Sequence, residues 1–324
     1  MGLKASCQPT PDDRLRVASG LVMEEMLSAR RCKSQAARHL VRFLPKRTQM
    51  AARFRQINGV APDLRKPRLL SERILHRILT DRDPLLRTFC DKLAAKQWIA
   101  TRIGAGRTPR TLAIADSVEA LQAHPLPDRW MLKASHGSGW YQLVASTTHP
   151  MDELVIAQAQ RWLSMDYSEV FQEWGYRNLP RRLLAEEFLS FSGRQCIEMS
   201  AFCFNGSVRG LRLFRPESAH ARHRSNQRQL PRTKECFLDE ALRPLPLERP
   251  QHDHCRDFAS LDRPPLQTFC ALAQDLSCET PFLRVDGFLS DRGVLVGELT
   301  PYPGAGLLLR MPRQWDAWFG AFWE

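Results

Sequence analysis

The chain lacks most of the features that would fix its class at a glance. It has no apolar run of about 18 residues, the length a helix needs to span a bilayer, so no transmembrane segment is expected. Residues 1–20 lack the continuous apolar core of a secretory leader, and a cytoplasmic protein is expected. No two cysteines are spaced CxxC. The nine cysteines are an odd number, and several sit in apolar runs, Cys203 in AFCF and Cys270 in TFCALA. Such residues behave as small buried hydrophobes, which fits a reducing compartment better than a disulfide framework. Neither a helix-opening GK[ST] loop nor GxGxxG is present, so the two commonest phosphate-binding fingerprints are excluded. No Ser/His/Asp or Cys/His nucleophile is evident. His252-Asp253-His254-Cys255 has no second ligand cluster to complete a zinc site.

What is present is length, positive charge and a series of hairpins. A chain of 324 residues can bury a sizeable core, as two domains or one larger composite one. A hydrophobic content of 43% and a charged content of 25% are globular values. With 47 basic and 35 acidic residues the net charge is +12, which suits an anionic partner: a nucleotide, a nucleic acid, an anionic glycan or a membrane surface. Residues 1–64 read as a basic helical extension. Val22, Met23, Met26 and Leu27 form one stripe, and Leu40, Val41 and Leu44 another, stopped by Pro45; these faces are either solvated or laid on a membrane surface. Residues 215–263 are rich in arginine, proline and histidine without sustained periodicity and read as a long loop. Its Arg222, Arg224, Arg228, Arg232 and Lys234 suit an acidic substrate, or are simply solvated.

Between these, the chemistry can be followed along the chain. SERILHRILTD reads as a helix capped by Ser71, and a second helix starts at Asp83-Pro84 and runs through Ile99. Lys92 and Lys96 lie four apart on one face of it, able to reach a phosphate together or to face solvent as ordinary lysines. Ser117 begins a short capped helix. An apolar strand then carries Lys133 into His136-Gly137-Ser138-Gly139, and Tyr141–Val144 returns. The glycines would let backbone N–H groups close over phosphate oxygens as a flap, or the loop is a plain hairpin turn. Residues 152–174 read as helical. The strand Arg182–Leu189 carries Glu186 and Glu187, which either bond ribose hydroxyls or lie exposed at a strand end. Gln195–Phe204 turns at Asn205-Gly206 into Val208–Leu213, and Leu266–Leu276 reads as a helix. The last motif is a hairpin, Phe282–Leu289 returning at Ser290–Gly293 into Val294–Thr300. If those strands pair, Arg284, Asp286, Glu298 and Thr300 share a face. Two carboxylates and a hydroxyl there suit a hard cation such as Mg²⁺; the alternative is a surface salt-bridge cluster.

The order of these pieces resembles the ATP-grasp superfamily. Lys133 and HGSG, then PRRLLAEEFL, then FCFNG, then RVD and GELTPYPGAG are similar most of all to its TupA-like branch, named for teichuronopeptide biosynthesis. Asp81-Arg82-Asp83-Pro84, Asp91-Lys92, Trp174, Tyr176, Asn178 and Pro180-Arg181 share that resemblance, which covers roughly residues 65–320. It implies an α+β, ATP-grasp fold: two α+β subdomains clasping ATP in residues 65–324, behind the helical extension 1–64. It also implies an ADP-forming, ATP- and Mg²⁺-dependent ligase that activates a carboxylate as an acyl phosphate and passes it to an amine, in polysaccharide, peptide or natural-product biosynthesis. By the same resemblance Lys92 and Lys133 hold phosphates under the flap His136-Gly137-Ser138-Gly139. Glu186, Glu187, Phe188 and Leu189 form the adenine and ribose hinge, Asp286 and Glu298 with Thr300 bind metal, and Arg284 stabilises the acyl-transfer intermediate. Relatives in this branch commonly carry Asp-Tyr-Lys where this chain has Glu198-Met199-Ser200, so Ser200 removes a lysine. A kinase acting on a hydroxyl, and a non-catalytic nucleotide or nucleic-acid binder, are the other readings.

Overall fold

The computed structural model describes residues 44–145, 151–192, 194–216, 233–245, 258–307 and 311–323. The stripes around Val22 and Val41, Arg222 to Arg232 and the His252–Cys255 tract lie outside them.

Pro45 does not simply end a helix; it stands at the N-terminus of α1 (Lys46–Asn58), whose Met50 and Phe54 are buried in the main core. Next comes α2 (Leu70–Thr80), whose apolar Leu70, Ile74, Leu75 and Ile78 recur at helical spacing and are all buried. Ser71 does not cap it. Glu72 does: its carboxylate accepts from the backbone N–H groups of Arg68 and Leu69 at 3.0 and 3.1 Å, while Ser71 Oγ donates to Asp316 Oδ2 at 2.6 Å. The helix expected from Pro84 to Ile99 is two, α3 (Pro84–Cys90) and α4 (Lys92–Ile103), broken at Asp91. Asp91 is extended, and its side chain accepts from the Leu93 N–H at 2.9 Å, so a capping carboxylate outweighs continuity here.

A four-stranded antiparallel sheet follows, in the order β1-β4-β2-β3. Its members are β1 (Thr111–Ala115), β2 (Arg129–Ala134), β3 (Tyr141–Ala145) and β4 (Leu183–Glu187), with α5 (Val118–Gln122) between the first two. Ser117 caps α5 as expected. The region 152–174 is not one helix but α6 (Glu153–Ser164), α7 (Ser168–Phe171) and a 3₁₀ turn, Trp174–Tyr176.

The second sheet has five antiparallel strands in the order β11-β10-β7-β8-β9. A two-strand ladder, β5 (Ser190–Phe191) and β6 (Arg194–Gln195), leads into it. Asn205 and Gly206 take φ of 48° and 75°, the left-handed pair that a tight hairpin requires, between β7 (Ile197–Phe204) and β8 (Ser207–Pro216). Thr233–Asp239, inside the stretch read as loop, is strand β9; KECFLD alternates enough to pair with β8 from Gly210 to Pro216. Then α8 (Arg263–Ser277) crosses the sheet, β10 (Phe282–Ser290) and β11 (Gly293–Thr300) form the expected hairpin, and α9 (Arg313–Gly320) closes the described chain.

Two buried clusters hold this together. One packs α1, α2, α6 and the four-stranded sheet with Phe202, Phe282 and Phe319; the other fills the far face of the five-stranded sheet around Phe269 of α8 and Ile99 of α4. The close packing has a local requirement: a Cβ on Gly287 would lie 2.4 Å from the Phe269 ring. Among the described residues no helix is long and apolar enough to cross a membrane.

Candidate active site

The β10–β11 register decides where the hairpin's polar groups go. Arg284 faces Thr300 and Asp286 faces Glu298, with Ser200 of β7 on the other flank of Asp286. Arg284 grips Asp286 with two N–H groups at 2.8 and 2.7 Å, Ser200 Oγ donates to Oδ1 at 2.6 Å, and Thr300 Oγ1 donates to Oδ2 at 2.7 Å. Such a bidentate, charge-assisted pair fixes the carboxylate's plane. The register slips between Asp286 and Gly287, so Gly297 is the extra residue of a bulge beside Glu298. Glu298 itself is half-buried and faces Lys92 Nζ at 3.6 Å.

On the four-stranded sheet, β2 and β4 are neighbours, and Met131 is opposite Glu186. Glu186 is 2% exposed and meets Lys133 at 2.5 Å and Lys96 at 2.7 Å. Burial pushes its carboxyl up, and the two ammonium groups more than offset that, holding it below the ordinary carboxylate value. Lys96 also donates to the Pro109 carbonyl at 2.6 Å. Of the two lysines on α4, therefore, Lys96 joins Lys133. Lys92 goes to the loop: its backbone N–H donates to the Ser135 carbonyl at 3.0 Å and its Nζ to the Gly137 carbonyl at 2.5 Å. Lys92 thus ties the glycine loop to the carboxylate hairpin.

That loop is packed, not open. Ser135 and His136 are buried, and a Cβ on Gly137 would sit 2.4 Å from the Trp140 ring. Trp140 lies parallel to Trp162 at 6.4 Å, and the His136 ring meets Trp140 edge-on at 5.4 Å. His136 Nε2 donates to the Trp162 carbonyl at 2.9 Å, a carbonyl being able only to accept. Burial holds its pKa below the ordinary histidine value, so the ring is neutral at pH 7. Gly139 has φ of 71°, and the Tyr167 hydroxyl shares a hydrogen bond with Ser138.

The structure therefore makes two groups, each with a lysine of α4: Lys133 and Glu186 with Lys96, and Lys92 with Gly137, Glu298 and the hairpin's Arg284, Asp286 and Thr300. It directs other sequence candidates elsewhere. His136 faces α6. Glu187, on the opposite face of β4 from Glu186, accepts from the Arg110 N–H at 2.7 Å and from its guanidinium at 2.9 Å, and pairs with Arg292 at the hairpin turn. Phe188 lies under the Arg129 guanidinium at 4.3 Å, and Leu189 is buried. One group was invisible in the sequence: Glu173, 2% exposed, has its Oε2 enclosed without a hydrogen-bond partner. Burial, reinforced by the Glu298 charge, pushes its carboxyl up to about 8. Its place next to Trp174 and Tyr176 was the available signal, but burial is a tertiary property that no local pattern displays.

The carboxylates and hydroxyls at the hairpin are all oxygen donors, as a hard cation demands. Among the described residues no three His, Cys, Asp or Glu side chains lie close enough to hold a metal by themselves. Of the hairpin's oxygen donors Glu298, with only a lysine at 3.6 Å, is the least engaged.

No protein of curated function matches the chain. Solved structures similar to it include the D-alanine–D-alanine ligase of Bacillus anthracis complexed with ATP, at 16% identity and TM-score 0.39, covering 74% of this chain and 65% of that one. The VanG D-Ala:D-Ser ligase of Enterococcus faecalis matches at 11% identity and TM-score 0.39, covering 78% and 61%. The N5-carboxyaminoimidazole ribonucleotide synthetase of Thermotoga maritima matches at 11% and 0.36, covering 66% and 42%. The chain spans less than two thirds of the length of each, and likeness at this level carries no chemistry across. The family model described as TupA-like ATPgrasp matches residues 72–324, which takes in every site residue above, and the chain belongs to that family.

Proposed function

We propose that the protein is an ATP-dependent, ADP-forming ligase that activates a carboxylate as an acyl phosphate and joins it to an amine during assembly of a glycan, peptide or natural product. The observation that carries this reading is the juxtaposition of two charge systems across α4: Lys96 and Lys133 on Glu186, and Arg284 with Asp286 and Glu298 on the hairpin. Phosphoryl transfer asks a protein for positioning and charge neutralisation, and these groups supply both.

In this reading Lys96 and Lys133 exchange Glu186 for phosphate oxygens, and the loop at Gly137, anchored by Lys92, covers them. Asp286 and Glu298 would hold Mg²⁺, which when bound neutralises phosphate charge. A carboxylate oxygen of the substrate forms a bond to the γ-phosphorus, and the bond to ADP breaks. The amine nitrogen then bonds to the acyl carbon, phosphate leaves with the electron pair of the broken C–O bond, and the nitrogen gives a proton to solvent. Arg284 would meet the negative charge that builds on the acyl oxygen. The other titratable side chains fit this scheme without a protein nucleophile.

The test is ATP consumption with Mg²⁺ against pools of acids and amines, with ADP, AMP and phosphate read separately. ADP and phosphate in equal amounts, only when both an acid and an amine are present, are expected. Asp286→Asn should lower that rate about 100- to 1000-fold. ADP without free phosphate would make the protein a kinase, and absence of turnover together with absence of an ATP-induced rise in Tm would remove the enzyme reading.

A further inference from the structure

Glu173 enters the site from a direction the ligase scheme does not use. It sits between α7 and the Trp174–Tyr176 turn, enclosed by the protein, with Oε2 unpartnered. Buried carboxylates keep partners almost without exception, so one without a donor calls for an explanation. Its charged and titratable neighbours are Glu298, Cys90, Tyr167, Tyr176 and Tyr302, and none of these is a cation. The nearby cations are already engaged. Lys92 is on the Gly137 carbonyl and Glu298, Arg284 on Asp286, and Arg77 on the Phe282 carbonyl, Thr280 and Asp81.

A metal ion does not resolve this. Glu173 does not come close enough to Asp286 and Glu298 for the three to form a ligand set. What the place offers is an acceptor without a donor, with a second polar group beside it. Tyr302, next after the hairpin, has a buried hydroxyl near the Gly175 amide that is in no well-formed hydrogen bond. The two residues are neighbours through Gly175, where a Cβ would lie 3.2 Å from the Tyr302 ring and 2.7 Å from Cys90 Sγ. Gly175 is therefore required by the close approach of Cys90, Leu86 and Tyr302, which brings the Tyr302 ring up against the residue that follows Trp174.

We propose that Glu173 and Tyr302 form the seat of the attacking amine, Glu173 accepting the N–H donors of a primary ammonium or amine and Tyr302 bonding a polar group next to it. The proposal rests on the ligase reading and names the side of the site from which the nucleophile comes. Glu173, enclosed among Tyr167, Tyr176, Tyr302 and Cys90 and protonated in the empty site, gives up its proton as a small cationic head group arrives, and with Glu298 beside it rejects a second carboxylate. Tyr167 extends the same wall to Ser138 of the glycine loop, so an amine seated here is adjacent both to the loop and to the metal carboxylates.

The test reads binding directly. Wild type and Glu173→Gln, each with saturating Mg-ADP, are titrated with n-propylamine, alanine and glucosamine while Tm is followed. At least one amine should raise the wild-type Tm, with its apparent affinity at least tenfold weaker in Glu173→Gln, while Mg-ADP alone raises both proteins equally. Tyr302→Phe, which keeps the ring and its packing, should weaken the same amine less than Glu173→Gln does, and serves alone if Glu173→Gln does not fold. The seat is overturned if none of the three amines moves the wild type, or if the variants respond at the same concentrations. Failure of Mg-ADP to move either protein would sink the ligase reading instead, and the amine titrations without nucleotide would still judge Glu173.

Discussion

At the four-stranded sheet Glu186 is clamped by two lysines at 2.5 and 2.7 Å, while at the hairpin Glu298 has one lysine at 3.6 Å and Glu173 has no ion pair among the described residues. The sheet end neutralises its buried acid completely; at the hairpin end Arg284 neutralises Asp286, and Glu298 and Glu173 are left with little or nothing. A clamped pair is closed to ligands until something more negative than a single carboxylate competes for the lysines, which is what a triphosphate is. An acid left without a cation is a site already desolvated and waiting for positive charge. In the proposed ligase the difference would separate two jobs: the sheet end would take polyanions by exchange, and the hairpin end cations by vacancy.

Breaking the clamped end should have the largest effect. Lys133→Met leaves Glu186 with Lys96 alone and would remove the charged contact to phosphate proposed above, so KM for ATP should rise about 10- to 100-fold, as measured by ADP release, for a contact to a charged group of this kind. If KM is unchanged, the lysine pair is structural and the comparison fails.

The open end can be probed without substrate through pH. Glu173 is raised from 4.5 to about 8 in the folded protein by burial and by Glu298. Above pH 4.5 the unfolded chain has lost this proton while the folded one keeps it, so stability falls as pH rises through that window and the loss is complete above about 8. Glu173→Gln removes the loss. Its Tm should equal the wild type's near pH 4.5 and exceed it by several degrees at pH 8.5, as read by thermal unfolding across pH. A constant offset at all pH values would show that Glu173 has an ordinary titration and that the hairpin end is not short of cations.

The smallest effect should come from Ser200. Its hydroxyl donates to Asp286 Oδ1 at 2.6 Å. Ser200→Ala should cost about 1.5 kcal/mol in chemical denaturation, the low end for one hydrogen bond to a charged group, with Arg284 and Thr300 still holding Asp286. A much larger loss would mean that the position of Asp286 depends chiefly on this hydroxyl.

The strands were legible because period-two alternation, Asn205-Gly206 and Ser290–Gly293 report directly on pairing, and pairing alone placed Arg284, Asp286, Glu298 and Thr300 together. Helix ends were less so. Ser71 and Glu72 both look like caps, and only the position of Asp316 shows that the serine is engaged elsewhere. The sequence showed Lys92 and Lys96 on one face but not which would meet Glu186, because the roughly 40° and 6 Å that separate them act only through how α4 lies on the sheet. Glu173 was not legible at all, since its isolation is made by Tyr167, Tyr176 and Cys90 arriving from three separate elements.

The stacked pair Trp140 and Trp162, 6.4 Å apart and tilted by only 9°, has an optical consequence. Two indoles held this close couple their transition dipoles, so their near-ultraviolet circular dichroism is a property of the pair and not of either ring. Trp140 is seated on Gly137, and Trp162 accepts from His136, so the pair is anchored to the loop proposed to cover the phosphates. The chain carries a built-in spectroscopic gauge of that loop, readable without a label.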